Sequence, residues 1–144
     1  MRPISALTVV YDPECGLCSR ARQWMLQQVR LVALNFVPSG SPDARRRFPR
    51  IPAGALAVVA DTGEIWFDNH AWIVCLWALR DFRDLAFRLT TPGLSRLAVE
   101  AFELVSRNRR ALSRMLRLRS DRELEQQLRR VLATHCQTEE RWLE

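Results

Sequence analysis

The chain contains no lysine: all 22 of its basic residues are arginine, set against 16 acidic residues for a formal net charge of +6. Every cationic side chain is therefore planar, permanently charged and suited to carboxylate or phosphate contacts. Such a balance permits weak association with nucleic acid or an anionic surface without establishing either. Long hydrophobic runs are also missing. The longest, Ala71 to Leu79, is far too short to cross a bilayer. No small-residue cleavage site follows the N-terminal apolar segment, and Pro3 to Tyr11 reads as a strand, so no signal peptide is expected. The expected compartment is the cytoplasm, where thiols stay reduced and closely spaced cysteines serve catalysis or metal binding more often than static cross-linking. There is no internal repeat and no clear domain boundary.

What is present fits one globular unit. A chain of 144 residues, 48% apolar and 26% charged, is long enough to bury a core and close to average globular composition. We expect a single domain over 1–144, with a core over about 4–81 and a helical extension over about 82–144.

The organising stretch is Tyr11-Asp12-Pro13-Glu14-Cys15-Gly16-Leu17-Cys18-Ser19-Arg20. An apolar run from Ala6 to Tyr11 predicts a strand buried on both faces. A helical pattern starts at the cysteines, with Leu17, Cys18, Ala21, Met25 and Val29 on one face. Val32 to Val37 predicts a second strand, parallel to the first as β-α-β connections require. Ser41-Pro42-Asp43 reads as an N-cap and first-turn proline of a short helix ending near Phe48. Ala55–Ala60 and Glu64–Phe67 flank Asp61-Thr62-Gly63, a hairpin signal. From Asp68 an almost wholly apolar helix follows. Another starts at Thr91-Pro92, with Leu94, Leu97, Ala98, Ala101, Phe102 and Val105 at three-four spacing and that spacing resuming at Leu112, Met115 and Leu116 after an Arg-rich interruption. A last one starts at the capping box Ser120-x-x-Glu123. The fold expected is α/β: a small mixed sheet flanked by helices, with a C-terminal helical extension.

A strand that delivers Cys-x-x-Cys to the first turn of a helix has the geometry of a dithiol redox site. The reactive species is the thiolate, and a helix N-terminus favours it through unpaired amides and the dipole. Cys15 is expected at the exposed first turn as the attacking thiol, and Cys18, turned toward the protein, as the resolving one. Gly16 would leave room for a substrate backbone. Asp12 and Glu14 oppose thiolate formation, whereas Arg20 and Arg22 favour it. Half of a zinc site is the competing interpretation, and it needs two further ligands. No second Cys-x-x-Cys exists, and neither His70 with Cys75 nor His135 with Cys136 has a zinc-finger or zinc-ribbon spacing. No metal and no organic cofactor is expected.

Tyr11-Asp12-x-x-Cys15-x-x-Cys18 resembles the signature of the DCC family of thioredoxin-like thiol–disulfide oxidoreductases. Ala55-Leu-Ala-Val-Val, Asp68-Asn-His-Ala71 and Ser106-Arg107-Asn108-Arg109-Arg110-x-Leu112 resemble later family segments in the same order, so the likeness covers about Leu7 to Leu116. It implies a thioredoxin-like fold and disulfide exchange with a protein or low-molecular-weight thiol substrate. Two departures stand out. Pro13 follows the motif aspartate where the family usually has glycine, and it fixes φ there. Many thioredoxin-like enzymes also carry a cis-proline before the third strand; here the nearest proline, Pro52, is separated from Ala55 by two residues.

Asp12 could orient the loop or relay a proton to Cys18, but accepting amide hydrogen bonds at the helix start is the favoured role. Cys75 is expected to be a small core residue, Cys136 a tail thiol and His70 a surface or capping residue. Arg107, Arg110, Arg114 and Arg117 share a helical face that could meet anionic lipid or phosphate; a solvated face is the commoner outcome. No aromatics interleave with them, as a single-stranded nucleic-acid platform would need. Trp24, Trp66, Trp72 and Trp77 read as core or groove rim. The alternative function is a redox-inactive thioredoxin-fold module that engages a partner through its Arg-rich helices.

Overall fold

Leu7, Val9 and Val10, alternating across the two faces of one strand and each at most 1% exposed, make it the most deeply buried of the sheet. In the computed structural model, which describes residues 2–140 and the side chains of residues 2–131, this strand is β1 (Ala6–Tyr11). After it come α1 (Gly16–Gln27), β2 (Ala33–Pro38), α2 (Pro42–Arg47), β3 (Ala57–Ala60), β4 (Ile65–Phe67) and α3 (Asp68–Ala78). A single 3-10 turn then leads to α4 (Arg83–Leu89), α5 (Pro92–Met115) and α6 (Asp121–Glu140).

The sheet order is β2-β1-β3-β4, with β1 parallel to β2 and antiparallel to β3. β3 and β4 form the expected hairpin, and Gly63 takes the positive φ of 107° that its turn needs. This is an α/β arrangement of thioredoxin type, with β1 central and its C-terminal end carrying the cysteine loop. Leu7, Val9, Val58 and Ala60 of the sheet and Leu56 just before β3 pack with Met25 of α1 and Ala71, Cys75, Ala78 and Leu79 from α3 and its C-cap. No helix of the described residues is long and apolar enough to cross a membrane.

Local signals placed several boundaries. The Ser41 hydroxyl accepts from the Ala44 amide at 3.1 Å. Ser120 and Glu123 cap each other reciprocally, Ser120 N–H donating to the Glu123 carboxylate at 2.9 Å and Glu123 N–H to the Ser120 hydroxyl at 3.2 Å.

Three expectations need correction. Val29 lies beyond the last turn of α1 and is half exposed, so the apolar face of that helix ends at Met25. The arginines at 107, 109 and 110 interrupt the apolar spacing but, as expected, not the helix, and α5 runs through them unbroken. Its buried line is Ala98, Ser106 and Ser113, with Phe102, Val105 and Arg109 partly buried beside it. The helix is rotated so that Trp72 Nε1 donates to Ser106 Oγ at 3.3 Å, which leaves Leu94, Leu97 and Leu104 exposed. Arg117 lies past the end of α5 at φ 53°, so it does not share a face with Arg107, Arg110 and Arg114.

Candidate functional site

β1 ends at Tyr11, and the loop Asp12–Glu14 carries the chain to Cys15, the N-cap of α1. The Cys15 N–H donates to the Asp12 carbonyl at 3.2 Å. The Cys15 sulfur accepts from the Cys18 amide at 3.4 Å, taking one of the donors that a helix start leaves unpaired. Both thiols are free, and both are buried: Cys15 is 0% and Cys18 3% exposed. The expectation that Cys15 stands at an exposed turn is therefore corrected. Nor is the space beside Gly16 open, because the protein's own backbone fills it. A Cβ at Gly16 would lie 2.5 Å from Ser113 Oγ and 2.7 Å from the Leu118 carbonyl carbon.

The two sulfurs differ in acidity. Cys15 is lowered from 9.0 to about 6, first by the side-chain hydrogen bond from Cys18 and then by the Cys18 amide and the Arg109 charge, against burial and the Asp12 charge. Cys18 moves the other way, raised by donating that hydrogen bond, by burial and by the Cys15 charge. The pair is thus polarised into a thiolate and a proton-holding thiol.

Asp12 is 1% exposed. Its Oδ1 accepts from the Glu14 amide at 3.0 Å, so the amide it binds lies in the loop before the Cys15 N-cap and not in the helix start itself. Its Oδ2 receives Arg110 through Nε at 3.0 Å and Nη2 at 2.9 Å, while Arg109 Nη2 lies 3.8 Å away. Arg109 is itself mostly buried and donates to the Gly54 carbonyl and to Ser106 O at 3.3 Å. These two arginines are the functional residues that the sequence reading left out of the site. Their signal was available: a buried aspartate beside a dithiol needs a cation, and the Ser106–Leu112 segment offered several.

The cations expected to act on Cys15 lie elsewhere. Arg20 is exposed, and Arg22 pairs with Asp121 at 3.2 Å and stacks over the Tyr11 ring. Glu14 is neutralised by Arg122. Tyr11 donates its hydroxyl to Asp121 at 2.7 Å, and its own ionisation is pushed upward by burial and that bond.

A cleft of about 660 Å³ opens beside the loop, lined by Asp12, Glu14, Ser39, Arg45, Arg110 and Arg122 among others, but not by the two cysteines. No peptide bond among the described residues is cis, so Pro52 is trans. Gly54, held by Arg109 and by its own N–H bond to Ser39 Oγ at 2.9 Å, lies in the loop before β3.

Cys75 sits 2% exposed in the core with its thiol pushed up to about 12 by burial. His70 is exposed at the start of α3. Of the tryptophans among the described residues, Trp66, Trp72 and Trp77 pack on the core, and Trp24 meets Phe82 edge-on. The side chains of His135 and Cys136 lie outside the described residues. Among the described residues, no three His, Cys, Asp or Glu side chains gather as a metal ion would require.

Compared with known families, residues 9–115 match the model described as DCC1-like thiol-disulfide oxidoreductase. Neither a curated protein nor a solved structure matches the chain.

Proposed function

The chain belongs to the DCC1-like thiol-disulfide oxidoreductase family, and from that membership we propose that it exchanges disulfides through Cys15 and Cys18. One observation carries the assignment of roles. Cys15 caps α1 and accepts hydrogen bonds from Cys18, which lowers it to about 6 while Cys18 is raised. Near neutral pH Cys15 is then the nucleophile and Cys18 holds its proton.

The Cys15 thiolate attacks one sulfur of a substrate disulfide, forming a Cys15–substrate bond and releasing the other sulfur as a thiolate. Cys18 then loses its proton to that departing thiolate or to solvent and attacks Cys15 Sγ. The second substrate thiol leaves, and a Cys15–Cys18 disulfide remains. Two electrons pass from the dithiol to the substrate, and a thiol of the cell restores the dithiol by the reverse steps. We assign Asp12 a positioning role: it orders the Glu14 amide and anchors Arg110, with Arg109 beside it. The substrate is a protein or low-molecular-weight disulfide, and the reaction uses the side chains of this chain alone. The alternative, a partner-binding module working through outward arginines, keeps the exposed Arg107 and Arg114, but Arg110 of that face is engaged by Asp12.

Trapping tests the proposal. Cys18→Ser should accumulate a mixed disulfide through Cys15 on incubation with a model disulfide, and Cys15→Ser should accumulate none. Failure of both variants to trap, together with a wild type that reduces no model disulfide, would move the protein to the binding-module reading.

A further inference from the structure

A nucleophile must meet its substrate, yet Cys15 is 0% exposed. What lies against the turn joining the two cysteines is the connector between α5 and α6. Beyond Met115 the chain reverses through Arg117, a non-glycine residue in the left-handed region at φ 53°. The Leu118 N–H then donates to the Ser113 carbonyl at 2.8 Å, and the Leu118 carbonyl is set against Gly16.

From there the end of the connector and the first residues of α6 are tied down at successive points. Asp121 N–H donates to Ser19 Oγ at 3.0 Å, and its carboxylate takes the Tyr11 hydroxyl at 2.7 Å and Arg22 at 3.2 Å. Arg122 N–H donates to the Pro13 carbonyl at 3.3 Å, and its guanidinium pairs with Glu14. Every anchor on the core side belongs to the stretch Tyr11–Arg22 that presents the dithiol. These ties are polar, and Leu116, Arg117 and Arg119 are exposed. A segment with so little buried apolar surface opens at low free energy without unfolding the core.

We propose that residues 116–122 form a latch that closes over the dithiol at rest and must lift before Cys15 can reach a disulfide. The latch occupies the approach to Gly16 with its own backbone, as a bound peptide would, so substrate and latch compete for one surface. The inference rests on the reading of Cys15 as the attacking thiol.

The experiment is alkylation of the reduced full-length chain by iodoacetamide at a pH above 9.0, where Cys15 is a thiolate in the folded and the denatured chain alike, resolved residue by residue with mass spectrometry. Cys15 of the wild type reacts more slowly than the same cysteine in the denatured chain. The double variant Asp121→Ala/Arg122→Ala unties the latch, and Gly16→Ala wedges it away from α1. Each raises the Cys15 rate by about tenfold or more, the worth of losing a hydrogen bond to a charged group. Cys75, buried in the core, is the internal control and stays unlabelled. If a variant labels Cys75 as well, it has unfolded, and the milder Tyr11→Phe, which removes one bond, decides the matter. The inference is overturned if wild-type Cys15 reacts as fast as in the denatured chain. It is equally overturned if the variants leave the Cys15 rate unchanged while Cys75 remains protected. Faster alkylation without any disulfide reduction would uphold the latch and reject the exchange function.

Discussion

Replacing Cys18 with alanine removes the side-chain hydrogen bond that does most to hold Cys15 below the ordinary thiol range. A hydrogen bond to a charged group is worth about 1.5–3 kcal/mol, and one pKa unit corresponds to about 1.4 kcal/mol. Its loss therefore raises Cys15 by about one to two units from its value of about 6. Cys18→Ser keeps an O–H donor at the same place and should shift Cys15 less. Both variants retain the Cys18 amide bond and the Arg109 charge, so neither returns Cys15 fully to 9.0. Thiolate ultraviolet absorbance against pH measures this directly, and it needs no access to the buried sulfur. Cys75 does not interfere, being pushed up to about 12. An unshifted midpoint in Cys18→Ala would refute the hydrogen bond as the main cause and leave the helix start and Arg109 to carry the effect. Equal shifts in the alanine and serine variants would show that donation is not the property that matters. The same acidity has a consequence for stability. The folded-state pKa of Cys15 lies below the unfolded value, so its thiolate stabilises the reduced fold fully above about pH 9. That contribution is lost as pH falls through about 6. Reduced wild type should accordingly gain stability over Cys15→Ser as pH rises between those values, by at most about 4 kcal/mol.

Three further outcomes follow from the packing and the ion pairs. Leu79→Ala empties a side chain that is 0% exposed beneath the sheet, and the denaturant midpoint should report a loss of about 2.5–5 kcal/mol. Asp12→Asn removes the carboxylate that holds Arg110 at 2.9 Å and should cost about 1–3 kcal/mol. Because the Asp12 charge raises Cys15, the same variant lowers the Cys15 midpoint in the absorbance titration; a rise would contradict the assignment. Ser120→Ala breaks the capping box at the start of α6 and should cost about 1 kcal/mol, seen as faster hydrogen exchange at the Glu123 amide.

Where a feature depends on neighbours in the chain, the sequence was a good guide. The apolar run of β1, the proline after Ser41, the glycine of the β3–β4 turn and the reciprocal pair Ser120 and Glu123 each act within a few residues, so their patterns announce them. The order of these elements sufficed for the α/β class and the mixed sheet. The site is different, since its environment is assembled from residues far apart in sequence. Asp12 finds its cations in Arg109 and Arg110, and Gly16 meets Leu118. An arginine on a helix reads as solvated when only its own helix is considered. Whether it turns inward depends on the rotation of α5: of the apolar positions Leu94, Leu97, Ala98, Ala101, Phe102 and Val105, only Ala98, Phe102 and Val105 turn to the core, while Leu94 and Leu97 are exposed. Exposure of Cys15 was inferred from its position at the start of α1, a sound rule for that helix in isolation that fails once a later segment lies across it.

The C-terminal helices are thus part of the dithiol's environment and not an appendage to a finished core. The sheet with α1 and α3 can present Cys15 at a helix start, but it brings no cation to the pair: Arg20 is exposed and Arg22 is committed to Asp121. The charge that favours the Cys15 thiolate comes from Arg109 on α5. That residue keeps its place through Gly54 in the loop before β3 and through its proximity to Asp12 in the motif itself. One stretch of helix therefore joins the loop before the cysteines to the loop before the third strand. From the end of the same helix the chain passes over Gly16 and returns at Asp121 to Tyr11 and Ser19. The segment that supplies the activating charge also leads into the cover, so a substrate that lifts residues 116–122 can do so without disturbing Arg109, which is anchored a full two turns earlier on α5.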